Sequence, residues 1–464
     1  MLSTMKRLLT KTLLAWLDGA GRKPLILRGA RQVGKTWLAR DLARRAGRDL
    51  VELNFERDPG LAKTFQVRDP RRILDDLSLM LGRRIDPATS LLFLDEIQAA
   101  RDVLAGLRWF HEELPALPVI AAGSLLEFAL ADEASSMPVG RVTYRHVEPM
   151  DFGEYLLAHD QGLLAERLEC WRPGEASDSQ VHELASQWFH RFSMVGGMPG
   201  VVALDVEHAD PEQCRQAQID LMTTYRDDFA KYARRREPHV LDGVLGAVAR
   251  QIGQKFVYAR AGGGLKQAVV KPALELLERA RLVTIAPHSS ANGVPLGAEV
   301  RERNRKALLL DVGLLHALLG TPARAAFPRA EDLGPAVRGQ IMDQIAGQHL
   351  RSLDRAGGSA PSLYYWQRGG GRPGEIDQLI QVGVTIVPVA VKAGAAGAMK
   401  SLHQFMHDKS LAFALRVDTN PPSIQDLDVG TTQGDRSQYR LLGLPAYMLH
   451  GARSCIEAAL RHGD

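Results

Sequence analysis

The run Gly29-Ala30-Arg31-Gln32-Val33-Gly34-Lys35-Thr36 constrains this chain more than any other part of it. It satisfies the pattern G-x-x-x-x-G-K-[ST] at every fixed position. The apolar triplet Leu25-Ile26-Leu27 precedes it, and an amphipathic stretch begins at Lys35. Strand, Gly-rich loop and helix in that order form a phosphate cradle. The glycines let backbone N–H groups turn inward, and the helix N-terminus adds partial positive charge. Gly29, Arg31, Gln32, Val33, Gly34, Lys35 and Thr36 are therefore the candidate nucleotide-binding residues. Lys35 is expected to reach the β- and γ-phosphates of ATP, and Thr36 to hold Mg²⁺.

The surrounding pattern fits an α/β domain with a mostly parallel sheet. Val51, Leu53 and Phe55 alternate with polar neighbours, while Leu91 to Leu94 and Val119 to Ala122 are continuous apolar runs. Such runs mark strands buried on both faces. The run at Leu91 ends in Asp95 and Glu96. Carboxylates leaving the C-terminal end of a strand lie where open α/β sheets bind ligands. Asp95 is the second candidate metal ligand. Glu96 is the candidate base for the attacking water. Ser124, after the run Val119 to Ala122, is a candidate γ-phosphate sensor, or simply the polar end of a strand. Arg141 is a candidate catalytic arginine, acting as a sensor or in trans, or a solvated surface residue.

The chain has 464 residues, enough for several domains. Its 58 Lys and Arg against 54 Asp and Glu leave a net charge of +4, too little to imply nucleic acid by itself. Cys170, Cys214 and Cys455 are odd in number and lack metal-ligand spacing, which suits a reducing cytoplasm. No apolar run is long enough to span a bilayer, so no membrane association is expected. Lys6-Arg7 before Leu8 to Leu17 loosely mimics a leader peptide. Lys11 interrupts that run, and an amphipathic helix is the better reading.

After Pro149 the pattern turns helical, over Asp151 to Tyr155, around Trp188 to Phe192, and over Asp220 to Tyr232. A helix through Leu241 to Ile252, another near Pro272 to Arg281 and a strand at Leu282 to Ile285 outline a winged helix. Near Pro335 the chain becomes α/β again. A helix is expected over Gly339 to Leu353, with strands at Leu363 to Gln367, Glu375 to Val382 and Val384 to Val391.

Several segments together carry a family resemblance. They are the phosphate loop, Phe93-Leu-Asp-Glu-Ile-Gln98, Ala122-Gly-Ser124, Gly140-Arg141, Pro149-Met-Asp-Phe-Gly-Glu154, Gly196-Gly-Met-Pro199, Tyr225-Arg-Asp227, Leu276 to Ala280 and Asp311-Val-Gly313. With them the chain resembles the prokaryotic AAA-type ATPases that join a P-loop core to a C-terminal domain of unknown function. The resemblance implies an AAA-like core, a winged-helix segment and a tail akin to restriction endonucleases. The expected domains are residues 1–148 (AAA-like ATPase), 149–334 (helical, with the winged helix at about 238–290) and 335–464 (the nuclease-like tail). AAA-like cores often form rings, so a homo-oligomer is expected.

Restriction-type nucleases carry an Asp on one strand and Glu-x-Lys on the next. Asp343, Glu375, Asp377 and Lys392 are the matching residues here, but Ala390 stands where the Glu belongs. A hard cation needs oxygen ligands, so a nuclease-defective site is expected. Lys392, Arg368 and Arg372 could still hold a phosphate backbone, as could Arg234 to Arg236, Arg301 to Lys306, Lys266 and Lys271. The resulting expectation is a Mg²⁺-dependent ATPase acting on duplex or branched DNA. The alternatives are an ATP-gated signalling or scaffold switch read by a protein partner, and an ATP-controlled nuclease.

Overall fold

The computed structural model describes residues 5–123, 126, 140–232, 238–262, 264–323, 332–353, 362–369, 374–394 and 399–461. The first layer begins with α1 (Leu9–Asp18), whose buried Leu9, Leu13 and Leu17 recur at helical spacing. It packs on α2 (Lys35–Arg45), the helix that follows the phosphate loop. β1 (Leu25–Arg28), β2 (Asp49–Asn54), β3 (Ser90–Asp95), β4 (Val119–Ala122) and β5 (Thr143–His146) form one sheet in the order β2-β3-β4-β1-β5. All its pairings are parallel. Alternate residues feed two separate cores. Leu25, Leu27, Leu91 and Phe93 join one, while Ile26, Leu92 and Leu94 join the other. α3 (Pro70–Leu81) and α4 (Arg101–Glu113) cover the second face.

The middle is helical, as the sequence pattern indicates. Helices span Phe152–Ala158, Gly162–Cys170, Ser179–Val195, Pro199–His208 and Pro211–Tyr232. The first opens on a reciprocal cap. The Asp151 carboxylate accepts from Glu154 N at 2.6 Å, and Glu154 Oε2 accepts from Asp151 N at 3.3 Å. Asp205 ties the bundle together from inside. Burial pushes its carboxyl up, yet hydrogen bonds from His159, Arg191 and Tyr155 outweigh this and hold it down to about 2.

The Gly-Gly-Met-Pro turn lies at a crossing of three chain segments. Met150 N donates to Gly197 O at 2.7 Å, and Gly197 N donates to Asp311 Oδ2 at 2.7 Å. Gly313 N reaches Asp311 Oδ1 at 2.8 Å, and Gln348 Nε2 reaches Oδ2 at 3.1 Å. Asp311 is fully buried, so its oxygens need these donors. Only a glycine fits at position 197, because a Cβ there would lie 1.9 Å from Met150 O.

Helices Pro238–Arg250 and Gln267–Arg279 lead into the hairpin of β6 (Val283–Ser289) and β7 (Val300–Leu309). This hairpin is not a free wing. With β8 (Tyr364–Gln367), β9 (Glu375–Val382), β10 (Thr385–Val391), β11 (Phe413–Asp418), β12 (Ser423–Gly430) and β13 (Arg436–Pro445) it forms an eight-stranded sheet. The order is β12-β13-β11-β10-β9-β8-β6-β7, joined through the parallel bridge His288↔Tyr365. The expected boundary near residue 290 therefore cuts a hairpin, and the one at 335 cuts a sheet. Helix Pro335–Leu350 packs on one face of this sheet and helix Lys400–Lys409 on the other.

Replacing Gly197 with Ala is expected to cost about 3 kcal/mol, because the obstructing atom is backbone. Gly200→Ala, in open space within a helix, is expected to be neutral or stabilising by up to about 1 kcal/mol. Thermal melts of the two variants check the contrast.

Candidate nucleotide site

The Gly29–Thr36 loop joins β1 to α2, the strand–loop–helix order that its sequence pattern requires. Gly34 takes φ +96° at the start of α2, a conformation suited to glycine. Lys35 Nζ spans the loop and donates to Gly29 O at 2.9 Å and Ala30 O at 2.7 Å. Thr36 Oγ1 donates to Asp95 Oδ2 at 3.2 Å, so the two candidate metal ligands meet across the ends of β1 and β3. Asn54 Nδ2 lies 3.4 Å from the same oxygen. Burial, and then the charge of Glu96, raises the Asp95 carboxyl above its ordinary range.

Glu96 leaves the strand with φ +51°, which turns its side chain out of the β3 line. Gln98 Nε2 donates to Glu96 Oε2 at 2.5 Å. Gly123 makes room for Gln98, since a Cβ at 123 would lie 1.9 Å from Gln98 Oε1. Gln98 thus orients the candidate base, a role its type alone does not announce. Ser124 lies outside the described residues.

Arg141 sits just before Thr143, which pairs with Leu25 at the start of β1. That is the sheet end opposite the phosphate loop, and Arg141 Nε donates to Glu112 Oε1 at 3.0 Å. The placement removes Arg141 from the phosphate site of its own chain. A role toward another subunit, or that of an exposed surface residue paired with Glu112, remains open to it.

Two further anchors hold the loop from behind. Arg7 is buried; it donates from Nη1 to Val33 O at 2.9 Å and from Nη2 to Glu148 O at 2.6 Å, and its Nε lies 3.2 Å from Glu154 Oε2. From helix Pro211–Tyr232, Tyr225 Oη donates to Arg31 O at 2.9 Å, and Asp228 accepts from Arg31 Nη1 on both oxygens, at 2.9 and 2.8 Å. Arg7 reads as part of a basic leader-like run in sequence, and its partner Glu154 lies far along the chain. No local signal could have paired them.

The tail brings Asp343, Glu375, Asp377 and Lys392 together, around a residue that sequence reasoning placed elsewhere. The buried Lys306 ammonium from β7 is ion-paired with Glu375, lies 4.0 Å from Asp377 Oδ1 and donates to Asp377 O at 3.3 Å. Lys392 Nζ is 3.8 Å from Asp377 Oδ2, which also accepts from Val391 N at 2.8 Å. Ala390 belongs to the apolar layer with Trp366 and Ile376. The cation at the centre of these acids is a protein ammonium, so the set does not fit a Mg²⁺-dependent nuclease. Among the described residues, no group of three or more His, Cys, Asp or Glu is arranged to hold a metal.

The same geometry corrects the reading of Arg301 to Lys306 as an exposed basic strip. Arg305 is buried with its guanidinium 5.9 Å from the Tyr258 ring centroid, and Lys306 is internal. Arg301 and Arg303 remain exposed. Arg368 is ion-paired with Asp408. Arg234 to Arg236 and Arg372 lie outside the described residues.

A five-stranded parallel sheet in this order, with a Gly-rich loop after β1 and an Asp at the end of β3 that meets Thr36 of that loop, is the architecture of a P-loop domain of the AAA class. Residues 21–156 match the AAA domain family, 186–325 a domain of unknown function (DUF8612) and 338–421 a second one (DUF4143). These matches support a P-loop AAA-type core in residues 21–156, with additional domains of unknown function after it. The chain is 27% identical over 351 residues to an uncharacterized protein of Mycobacterium bovis, and equally to one of Mycobacterium tuberculosis. Those matches cover 75% of this chain and 65% of each relative. Among solved structures, the Walker-type ATPase of Pyrococcus abyssi aligns at 16% identity and TM-score 0.42, over 67% of this chain and 94% of that one. The Aeropyrum pernix ORC1 protein in complex with DNA aligns at 16% identity and TM-score 0.26, over 68% and 91%. No helix among the described residues is long and apolar enough to cross a membrane.

The tail cluster has a pH signature. Burial, and then the Asp377 charge, raises the Asp343 carboxyl to about 7. The folded chain therefore holds a proton on Asp343 that the unfolded chain releases at ordinary carboxylate pH. This contribution to stability is present at low pH and is lost as pH rises from about 4 through about 7. Denaturant melts across that window should show the decline in the wild type, and a flatter profile in Asp343→Asn.

Proposed function

We propose that this chain binds Mg²⁺-ATP in the Gly29–Thr36 loop and hydrolyses it, with Glu96 as base. The observation that carries this reading is the contact of Thr36 with Asp95 at 3.2 Å, at the mouth of the phosphate loop. Both are hard oxygen donors, which suits Mg²⁺. When bound, the ion would be held by Thr36 and, through its shell, Asp95, and would neutralise charge on the phosphates. Lys35 supplies the cation for the β- and γ-phosphates. Gln98 keeps Glu96 turned toward the water that attacks. Arg141 serves a neighbouring subunit if the chain assembles, and a cytoplasmic setting suits the whole.

DNA is the proposed object of the cycle. Exposed Lys266, Arg301 and Arg303 lie on the helix-and-hairpin segment, which is continuous with the tail sheet. Backbone contacts from such groups weaken steeply with salt. A second reading, an ATP-gated switch read by a protein partner, is favoured by the Arg31–Asp228 pair, which ties the loop to the helical middle. The nuclease reading gains nothing from an acid cluster neutralised by Lys306.

Steady-state ATPase assays with single-stranded, duplex and branched DNA test the proposal. Lys35→Ala is expected to abolish tight ATP binding. Glu96→Gln is expected to keep binding and lose about 10²-fold or more in turnover. Stimulation by one DNA form supports action on DNA. Turnover indifferent to every DNA form points to the protein-read switch, and undiminished turnover in Glu96→Gln removes Glu96 as the base.

A further inference from the structure

Arg31 occupies a position of the phosphate loop that the general G-x-x-x-x-G-K-[ST] pattern leaves unconstrained. Its backbone and its side chain are both held by one helix, Pro211–Tyr232, through Tyr225 and Asp228. The Asp228 carboxylate is buried, while the Arg31 side chain is about one-third exposed. Only Nη1 of Arg31 engages Asp228, so the planar fork is not closed on the carboxylate. A bidentate guanidinium pair would use two nitrogens. Burial lowers the pKa of the guanidinium, but its bonds to Asp228, followed by the charges of Asp228, Glu96 and Glu56, outweigh this and raise it. Arg31 is thus a permanent cation in the phosphate loop, held on one nitrogen by a carboxylate of the helical middle.

We propose that Arg31 exchanges partners, from Asp228 to the γ-phosphate of bound ATP, and that Asp228 is the positioning residue through which helix Pro211–Tyr232 senses that phosphate. The inference rests on the reading of Gly29–Thr36 as an ATP site. It adds the path by which the state of that site leaves the core. A γ-phosphate offers a second anion, and the unengaged edge of the guanidinium can take it bidentately. ADP lacks that group and leaves Arg31 on Asp228. The exchange releases one side-chain anchor of a 22-residue helix that packs on helices Pro199–His208 and Val312–Leu319. Helix Val312–Leu319 follows directly on Asp311, the carboxylate that gathers Gly197, Gly313 and Gln348. The loop's charge state therefore reaches the residues that join the core, the middle and the tail.

The test compares a nucleotide that has a γ-phosphate with one that lacks it. Binding of AMP-PNP and ADP is measured by calorimetry with Mg²⁺ for the full chain, for Asp228→Asn, for Arg31→Ala and for the double variant. Asp228→Asn removes the competing anion, so AMP-PNP should bind about fivefold to tenfold tighter while ADP changes by less than about twofold. Arg31→Ala should weaken AMP-PNP selectively, and in that background Asp228→Asn should have no further effect. Hydrogen exchange on the wild type gives a readout independent of any variant's folding. Amides of residues 211–232 should exchange faster with AMP-PNP than with ADP. Equal shifts for both nucleotides in Asp228→Asn, or identical exchange in the two states, overturn the partner exchange. If the wild type binds neither nucleotide, the ATP-site reading itself falls, and the inference falls with it.

Discussion

A guanidinium buried behind the phosphate loop holds the first half of this molecule together. Arg7 donates to the carbonyl of Val33 inside the loop and to that of Glu148 beyond the sheet, and its charge is met by Glu154. A buried cation is tolerated only when paired and hydrogen-bonded, and here the ion pair and two hydrogen bonds come from segments far apart in the chain. The N-terminal helix, the loop and the first helix of the middle are thereby fixed to one another. Leu8 N adds a further tie by donating to Glu154 Oε1 at 2.7 Å. The cradle's shape is therefore set by residues that never face a phosphate.

The tail repeats the logic with the opposite balance of charge. There a pocket of carboxylates is built around the Lys306 ammonium, which arrives from the hairpin rather than from the tail's own segment. The pair of Lys306 with Glu375 links β7 to β9 across the sheet. Ala390, set in the apolar layer, brings no oxygen to the cluster. The centre of the cluster is filled by a protein cation. What remains is a joint between the middle of the chain and its end.

The most legible parts of the fold were those dictated by local chemistry. Leu25 to Leu27, Leu91 to Leu94 and Val119 to Ala122 read as buried strands because parallel strands covered on both faces need unbroken apolar runs. β5 gave no such sign. Thr143 to His146 is a half-buried strand of polar and aromatic residues at the sheet edge, and it exists because β1 offers it a partner. Helix Lys400–Lys409 and strands β11 to β13 likewise carried no clear sign, though five of the six residues of β11 are buried. The hairpin β6–β7 was half seen, through its first strand. That it continues the tail's sheet depends on a single bridge between His288 and Tyr365, which no spacing in the sequence encodes.

The sequence by itself determined the phosphate loop and the strand-end carboxylates, because each needs particular residue types at fixed short spacings beside an apolar strand. Tertiary structure alone decided the partners of the charged residues. Arg31 met Asp228 and Lys306 met Glu375, across separations of 197 and 69 positions. Arg305 and Lys306 went inside while Arg301 and Arg303 stayed out, although all four read as one basic run. A charge's fate is fixed by what is buried against it. Burial follows from packing between distant segments, which no local window of sequence contains.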